Sequence, residues 1–351
     1  MDEDAVILTA YFGEQRYPGA GSRDDALIGL FARRSITASV SLRGIEGYGP
    51  LDEGAASRGL PVARDTPLTV VAVDARSRID AVIDDLARIA RPKLVTLERV
   101  RLLSRPIEPI AVGEMPWEAT RLTIICGRGD RIYQIPAFEE ACELLYRRGV
   151  AGATVLSGVD GTAEGRRRRS QFLRRGDAPL MVAAVGDGAR IAPLLPELGG
   201  LFRHPLMTIA KVQLCKRDGQ IISKPETLPA DATESAGLQP RAKLTVYTSD
   251  AARINGQPAH REFIRLLRSA GVSSATAQRG NWGFHGEHSP HGDRLAQLSR
   301  HVPVVTTVID RMDRIEIAFD VIDKLTPDRG LVIAETVLTP QPARAPSDHG
   351  A

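Results

Sequence analysis

The sequence predicts an α+β protein built from three tandem copies of one β-α-β-β-α-β unit. Three observations predict it. The stretches ITASVSLRGIEGYG (36–49), VAGATVLSGVDGTA (150–163) and VSSATAQRGNWGFH (272–285) align without gaps. Each carries a G-x-x-G, at Gly44 and Gly47, Gly158 and Gly161, and Gly280 and Gly283. Downstream, TPLTVVAVD (66–74), APLMVAAVG (178–186) and VPVVTTVID (302–310) share Pro67, Pro179 and Pro303. The closing runs LVTLERVRL (94–102), LMTIAKVQL (206–214) and LVIAETVL (331–338) also line up. Finally, the hydrophobic period switches between two and 3.6 in the same order in every copy.

Each copy opens on an apolar run that reads as a strand, as in RLTIIC (121–126) and KLTVYT (243–248). A helix face comes next: Leu27, Ile28, Leu30 and Phe31 in copy one, Ala141, Cys142, Leu144 and Leu145 in copy two, Phe263, Ile264, Leu266 and Leu267 in copy three. Small and β-branched residues before G-x-x-G make a second strand, and the proline-led run makes a third. The second helix presents Ile79, Val82, Ile83 and Leu86, then Ile191, Leu194, Leu195 and Leu198, then Ile315, Ala318, Phe319 and Ile322. These stand at i, i+3, i+4 and i+7, so they stack on one side. Pro193 and Pro196 sit inside the copy-two helix. A helix interior tolerates neither, at about 3 kcal/mol each, unless they fall in a first turn.

The order β-α-β-β-α-β is the ferredoxin-like arrangement, a four-stranded antiparallel sheet with both helices on one face. The bare face needs a partner, and three copies in one chain supply it as an internal pseudo-trimer. The expected domains are 4–103, 120–215 and 241–339, joined by Pro-rich linkers at 104–119 and 216–240. The tail from 340 to 351 has too little apolar surface to order itself.

The 46 basic and 43 acidic residues leave a net charge of +3, which gives no overall basic field for nucleic acid. Three scattered cysteines, Cys126, Cys142 and Cys215, fit neither a disulfide framework nor a CxxC metal knuckle. The acidic start MDEDAVILTAYFGEQR is unlike a signal peptide, and no apolar run reaches transmembrane length. The expectation is a soluble cytoplasmic protein.

The copy-three pattern GVSSATAQRGNWGFH with RLAQLSRHVPVVTTVIDRMDRIE, the copy-two piece RRGVAGATVLSGVDG and the copy-one loop LRGIEGYG resemble the PII-like domain-of-unknown-function family 190, relatives of the nitrogen-regulatory PII proteins. The resemblance covers nearly all of the chain outside linkers and tail. PII-type proteins are trimers of ferredoxin-like subunits that bind effectors, often adenine nucleotides, between subunits. They report to transporters, enzymes or transcription regulators through a mobile loop. The resemblance therefore implies a monomeric, non-enzymatic regulator with inter-domain effector clefts and an unidentified protein target.

From the residues themselves, Gly44, Gly47 and Gly49 let a ligand approach backbone N–H groups, and the equivalent Gly158, Gly161, Gly280 and Gly283 extend this to the other copies. Arg43 and Arg279 precede the glycines at equivalent positions and suit phosphate, whereas copy two has Ser157. The competing reading is that the glycines only shape a tight strand exit.

Beyond the glycines the three copies diverge into PLDEGAASRG, EGRRRRSQFLRRG and GEHSPHGDR. The copy-two run Arg166, Arg167, Arg168 and Arg169 reads as a solvated loop or as a contact for an acidic protein or anionic lipid. Its lone aromatic, Phe172, argues against a nucleic-acid platform. His285, His288 and His291 would suit a divalent metal, making a metal-binding protein or metal-dependent enzyme the alternative reading. A ligand-free structural adaptor is the second alternative. GRGD (127–130) imitates the start of a dinucleotide loop but lacks its third glycine.

Overall fold

The computed structural model describes residues 2–13, 23–49, 67–89, 92–103, 106–108, 110, 115, 117–169, 178–226, 237–286, 290–292 and 302–340. In the first repeat β1 (Asp2–Gly13), α1 (Arg23–Arg33), β2 (Ala38–Arg43), β3 (Glu46–Tyr48), β4 (Pro67–Ala75), α2 (Arg76–Ile89) and β5 (Leu94–Leu102) succeed one another in order. The second repeat opens with β6 (Thr120–Gly127), a small hairpin of β7 (Arg131–Ile132) and β8 (Ile135–Pro136), and α3 (Ala137–Arg147). It continues with β9 (Gly152–Ala163), β10 (Arg166–Arg169), β11 (Pro179–Gly186), α4 (Gly188–Ile191), α5 (Leu195–Gly200) and β12 (Leu206–Lys211). A hairpin of β13 (Gln213–Arg217) and β14 (Gln220–Ile221) carries the chain into the second linker. The third repeat has β15 (Leu238–Ser249), a hairpin of β16 (Arg253–Ile254) and β17 (Gln257–Pro258), α6 (Ala259–Ser269) and β18 (Ala275–Arg279). It ends with β19 (Trp282–His285), β20 (His291–Gly292), β21 (Pro303–Asp310), α7 (Met312–Leu325) and β22 (Leu331–Pro340).

The predicted helix faces are the buried ones. Leu27, Ile28, Leu30 and Phe31 are buried on α1, and Ile315, Ala318, Phe319 and Ile322 on α7. In repeat two the prolines divide the second helix into α4, a 3-10 turn over Ala192–Leu194 and α5. Pro193 and Pro196 then stand in the first turns of the pieces they begin, where a missing N–H costs nothing. Ile191, Leu194, Leu195 and Leu198 still bury as one face.

The expectation of three ferredoxin-like units packed face to face as a pseudo-trimer is overturned. Among the described residues strand predominates, at 48% against 27% helix, and the fold contains an eight-strand closed antiparallel β-barrel. Strands of all three repeats are hydrogen-bonded into one 18-stranded sheet. β2 pairs with the far half of β9, β3 with β18, and β19 with the near half of β9. At the other end β5 pairs with β12 and β22, and β13 pairs with β22. The physical reason is the edge strand. A separate four-stranded sheet leaves two edges of unpaired N–H and C=O groups, and joining edges between repeats satisfies them. The repeats are therefore joined by backbone ladders as well as by apolar packing. Buried side chains reinforce the seam between repeats one and two: Ser39 Oγ lies 2.9 Å from Thr162 Oγ1, whose hydroxyl donates to Ile36 O at 3.1 Å.

Candidate functional site: a cleft between the first two repeats and a charged barrel axis

The loop glycines lie on the seams. A Cβ on Gly161 would stand 2.1 Å from Ser39 O, and one on Gly158 would stand 2.5 Å from Pro179 O. At Gly283, with φ of +146°, it would stand 2.2 Å from Ala153 O. Gly44 and Gly47 are crowded by Pro67 and by the backbone of Ala277 and Ala275, and Gly280 by Thr154 and Val155. These glycines allow one repeat to approach the backbone of the next. Gly49 instead lies against the Lys93 side chain. Arg43 is exposed at the end of β2. Arg279 is held by Asp250 at 2.9 Å, and Asp250 also accepts from Val302 N at 3.0 Å.

The arginine run is a hairpin strand. β10 pairs with Asp160–Ala163 of β9 through the two-residue turn Glu164–Gly165, both at positive φ (52° and 71°). That is the turn whose twist matches paired strands. Strand alternation separates neighbouring arginines. Arg167 reaches Asp25 of α1 at 2.6 Å and also pairs with Asp160, which raises its pKa through those two carboxylates despite partial burial. Arg168 lines a cleft of about 470 Å³ between repeats one and two.

This cleft is floored by apolar residues from both repeats, among them Ala38, Leu102, Ile125 and Leu206, and rimmed by polar ones. His204 Nδ1 lies 3.0 Å from Glu164 Oε1, and Arg203 Nε lies 4.0 Å from Asp130 Oδ1. The GRGD stretch turns here: Asp130 N donates to Gly127 O at 3.3 Å, and Gly127, Gly129 and Asp130 line the cleft. Arg128 donates to Gly158 O at 3.2 Å, tying this turn to the glycine loop. Arg203, His204 and Glu164 are mostly exposed, so water screens the interactions at this rim. An apolar floor with a few convergent polar groups is the usual build of a small-molecule site.

The second polar region lies where β5, β6, β15 and β22 from all three repeats converge, which we take as the barrel axis, and no sequence motif marks it. Glu98, Arg121, Lys243 and Glu335 form a closed ring of ion pairs. Arg121 Nη2 donates to Glu98 Oε2 at 2.7 Å, and Lys243 Nζ donates to the same oxygen at 2.7 Å. Arg121 Nε lies 2.9 Å from Glu335 Oε1 and Lys243 Nζ lies 2.8 Å from Glu335 Oε2. These last contacts are close but angled away from hydrogen bonding, which leaves Arg121 Nε and Glu335 Oε2 without a hydrogen-bond partner among the described residues. The four side chains are 6–11% exposed. Burial works against the Glu98 carboxylate, but Lys243 and Arg121 more than offset it and hold its pKa below the usual range. A cavity of about 80 Å³ adjoins the ring. It has room for water and is far smaller than an ordinary small-molecule pocket. The signal in the sequence is a charged residue at an inward position of an otherwise apolar strand, as in LVTLERVRL and LVIAETVL.

Of the histidines, His285 ends β19 and His291 begins β20, while His288 lies outside the described residues. Among the described residues no group of three metal-ligating side chains comes together. The tail beyond Pro340, most of the copy-one and copy-three loops and part of both linkers also lie outside them. Cys126, Cys142 and Cys215 are buried, and burial pushes all three thiols up, Cys215 to about 12. None is poised as a thiolate. No described helix is long and apolar enough to cross a membrane.

The fold and cleft define a class: one chain of three homologous repeats that share a β-barrel and hold a polar-rimmed cleft between neighbours. Within that class the chain belongs to the family DUF190 (Uncharacterized ACR, COG1993), whose profile matches three tandem segments at residues 5–102, 119–214 and 241–339. The three matches coincide with the three sequence repeats.

Proposed function

We propose that the protein is a non-enzymatic ligand-responsive regulator that binds a small anionic effector in the cleft between repeats one and two. The observation that carries this reading is the position of Arg168. It lines the cleft, and it belongs to the same hairpin strand as Arg167, which is anchored to Asp25 of the first repeat. An effector that engages Arg168 therefore acts on an element already bridging two repeats, which is the coupling a regulator needs. Arg203 and His204 add cationic and hydrogen-bonding groups at the rim, and the apolar floor suits a planar or aliphatic body. The resemblance to PII regulators makes an adenine nucleotide the first effector to test. The divergent loops after the glycines are the proposed contacts for a protein target.

Isothermal titration of the full chain with ATP, ADP, AMP, cyclic nucleotides and inorganic phosphate tests it. The expected result is saturable binding at the cleft, weakened about tenfold by Arg168→Ala, the loss of one charge-assisted contact. Failure of every probe to bind at millimolar concentration would overturn the effector reading. Binding unaffected by Arg168→Ala and by Arg203→Ala would move the site elsewhere.

A further inference from the structure

The ion ring on the barrel axis draws on all three repeats, with Glu98 from the first, Arg121 from the second, and Lys243 and Glu335 from the third, so no two repeats contribute alike. The ladders make the equivalence explicit. Ile7, Arg121 and Lys243 stand opposite Val73, Val185 and Ile309, which occupy one aligned position in the three copies. On their other side the same residues stand opposite Glu98, Ala210 and Glu335. The first repeat thus supplies an apolar residue and an acid, the second a base and an alanine, the third a base and an acid.

We infer that this ring is an assembly code: the inner faces of the first and second repeats fit the rest of the ring and reject second copies of themselves, while the third carries its own acid and base. A barrel closed by three first repeats would bury three Glu98 carboxylates with no cation, and one closed by three second repeats would bury three Arg121 guanidinium groups with no anion. Only one of each gives two anions and two cations. An unpaired charge in this setting is far more costly than the pair is favourable. Replacing a whole buried ion cluster by apolar groups is often neutral for stability, so the contribution of such a cluster is to reject wrong partners. Open sheet edges make wrong partners a real hazard here, because the seams are backbone ladders that any repeat of the same register can offer. The inference stands independently of the effector cleft.

The test uses full-length chains unfolded in denaturant and refolded at several protein concentrations, with species resolved by size-exclusion chromatography and light scattering. Arg121→Met leaves two carboxylates against one cation and is expected to lower the unfolding midpoint strongly. Glu98→Gln with Arg121→Met restores one anion to one cation at nearly constant volume. It is expected to recover most of the midpoint and, unlike wild type, to refold into a mixture with a several-fold larger share of multi-chain species. Arg121→Lys keeps the charge and is expected to refold as wild type does. The inference is overturned if the double variant refolds to the same single distribution as wild type. It is equally overturned if Arg121→Met leaves the midpoint unchanged, or if Arg121→Lys scrambles as much as the neutral pair.

Discussion

The axial ring and the cleft between the first two repeats hold similar side chains in opposite states. On the axis every charge lies within 3 Å of an opposite charge, and the four side chains are only 6–11% exposed. In the cleft Arg203 is 83% exposed and lies 4.0 Å from the Asp130 carboxylate. The axial cavity is about 80 Å³ and the cleft about 470 Å³. Charges saturated by one another beside a small cavity are the ones we infer to serve the assembly. In the proposed function, charges exposed over an apolar floor are the ones an incoming ligand would engage. The contrast predicts that variants on the axis change stability and leave binding intact, while variants in the cleft do the reverse.

The largest expected effect is at Arg121. Removing one partner of a buried ion pair costs about 3–5 kcal/mol, so Arg121→Met should lower the urea midpoint in proportion. A midpoint within error of wild type would erase the distinction between the regions, since the ring would then be as loosely held as the cleft. Next is Gly161→Ala on the seam. Its new Cβ would meet Ser39 O at 2.1 Å, a backbone atom of the neighbouring repeat that cannot rotate away. Overpacking of this kind costs about 1–3 kcal/mol. An undiminished melting temperature would show that the seam relaxes freely.

Acid should separate the regions too. The Glu98 carboxyl is held below the usual range in the folded protein, against the effect of burial, by Lys243 and Arg121. The folded state therefore binds this proton more weakly than the unfolded chain does. The contribution is complete above the ordinary carboxylate value of about 4.3 and is lost as pH falls through the depressed folded value. Denaturant unfolding measured from pH 7 to pH 3 should show a shallower acid loss in Glu98→Gln than in wild type. Equal slopes would mean that Glu98 is not the group that couples.

Much of this is legible in the sequence and some is not, for identifiable reasons. Helix faces such as Leu27–Phe31 and Ile315–Ile322 come from spacing alone, because burial of one side of a helix is a local property. The division of the copy-two helix at Pro193 and Pro196 comes from the missing N–H. The barrel cannot be read this way, since which edge strand joins which is decided by contacts 100 or more residues apart, as between Ser39 and Thr162. Gly158 and Gly161 read as ligand-facing because glycine allows close approach, and the sequence cannot say whether a ligand or a neighbouring strand does the approaching. The cleft is half legible: GRGD and the arginine run stand out in the sequence, but not that the fold brings both to one cavity.

The smallest effect is also the sharpest test of the axial region, because its expected sign is unusual. Leu42, Leu156 and Gln278 occupy one aligned position in the three repeats, and all three line the axial cavity. Gln278 is 8% exposed and its Nε2 has no protein hydrogen-bond partner among the described residues, nor has Thr69 Oγ1 on the same cavity. A buried amide donor left unpaired costs about 1–3 kcal/mol. Gln278→Leu removes that donor and installs the residue the other two repeats already use. The variant should melt higher than wild type by the equivalent of about 1 kcal/mol, with nucleotide or phosphate titration of the cleft unchanged. A loss of stability instead would show that the amide is bound by water held in the cavity, since only a satisfied polar group is missed when it is replaced by an apolar one. A change in ligand titration would couple the axis to the cleft and end the separation between a buried structural region and an open binding one.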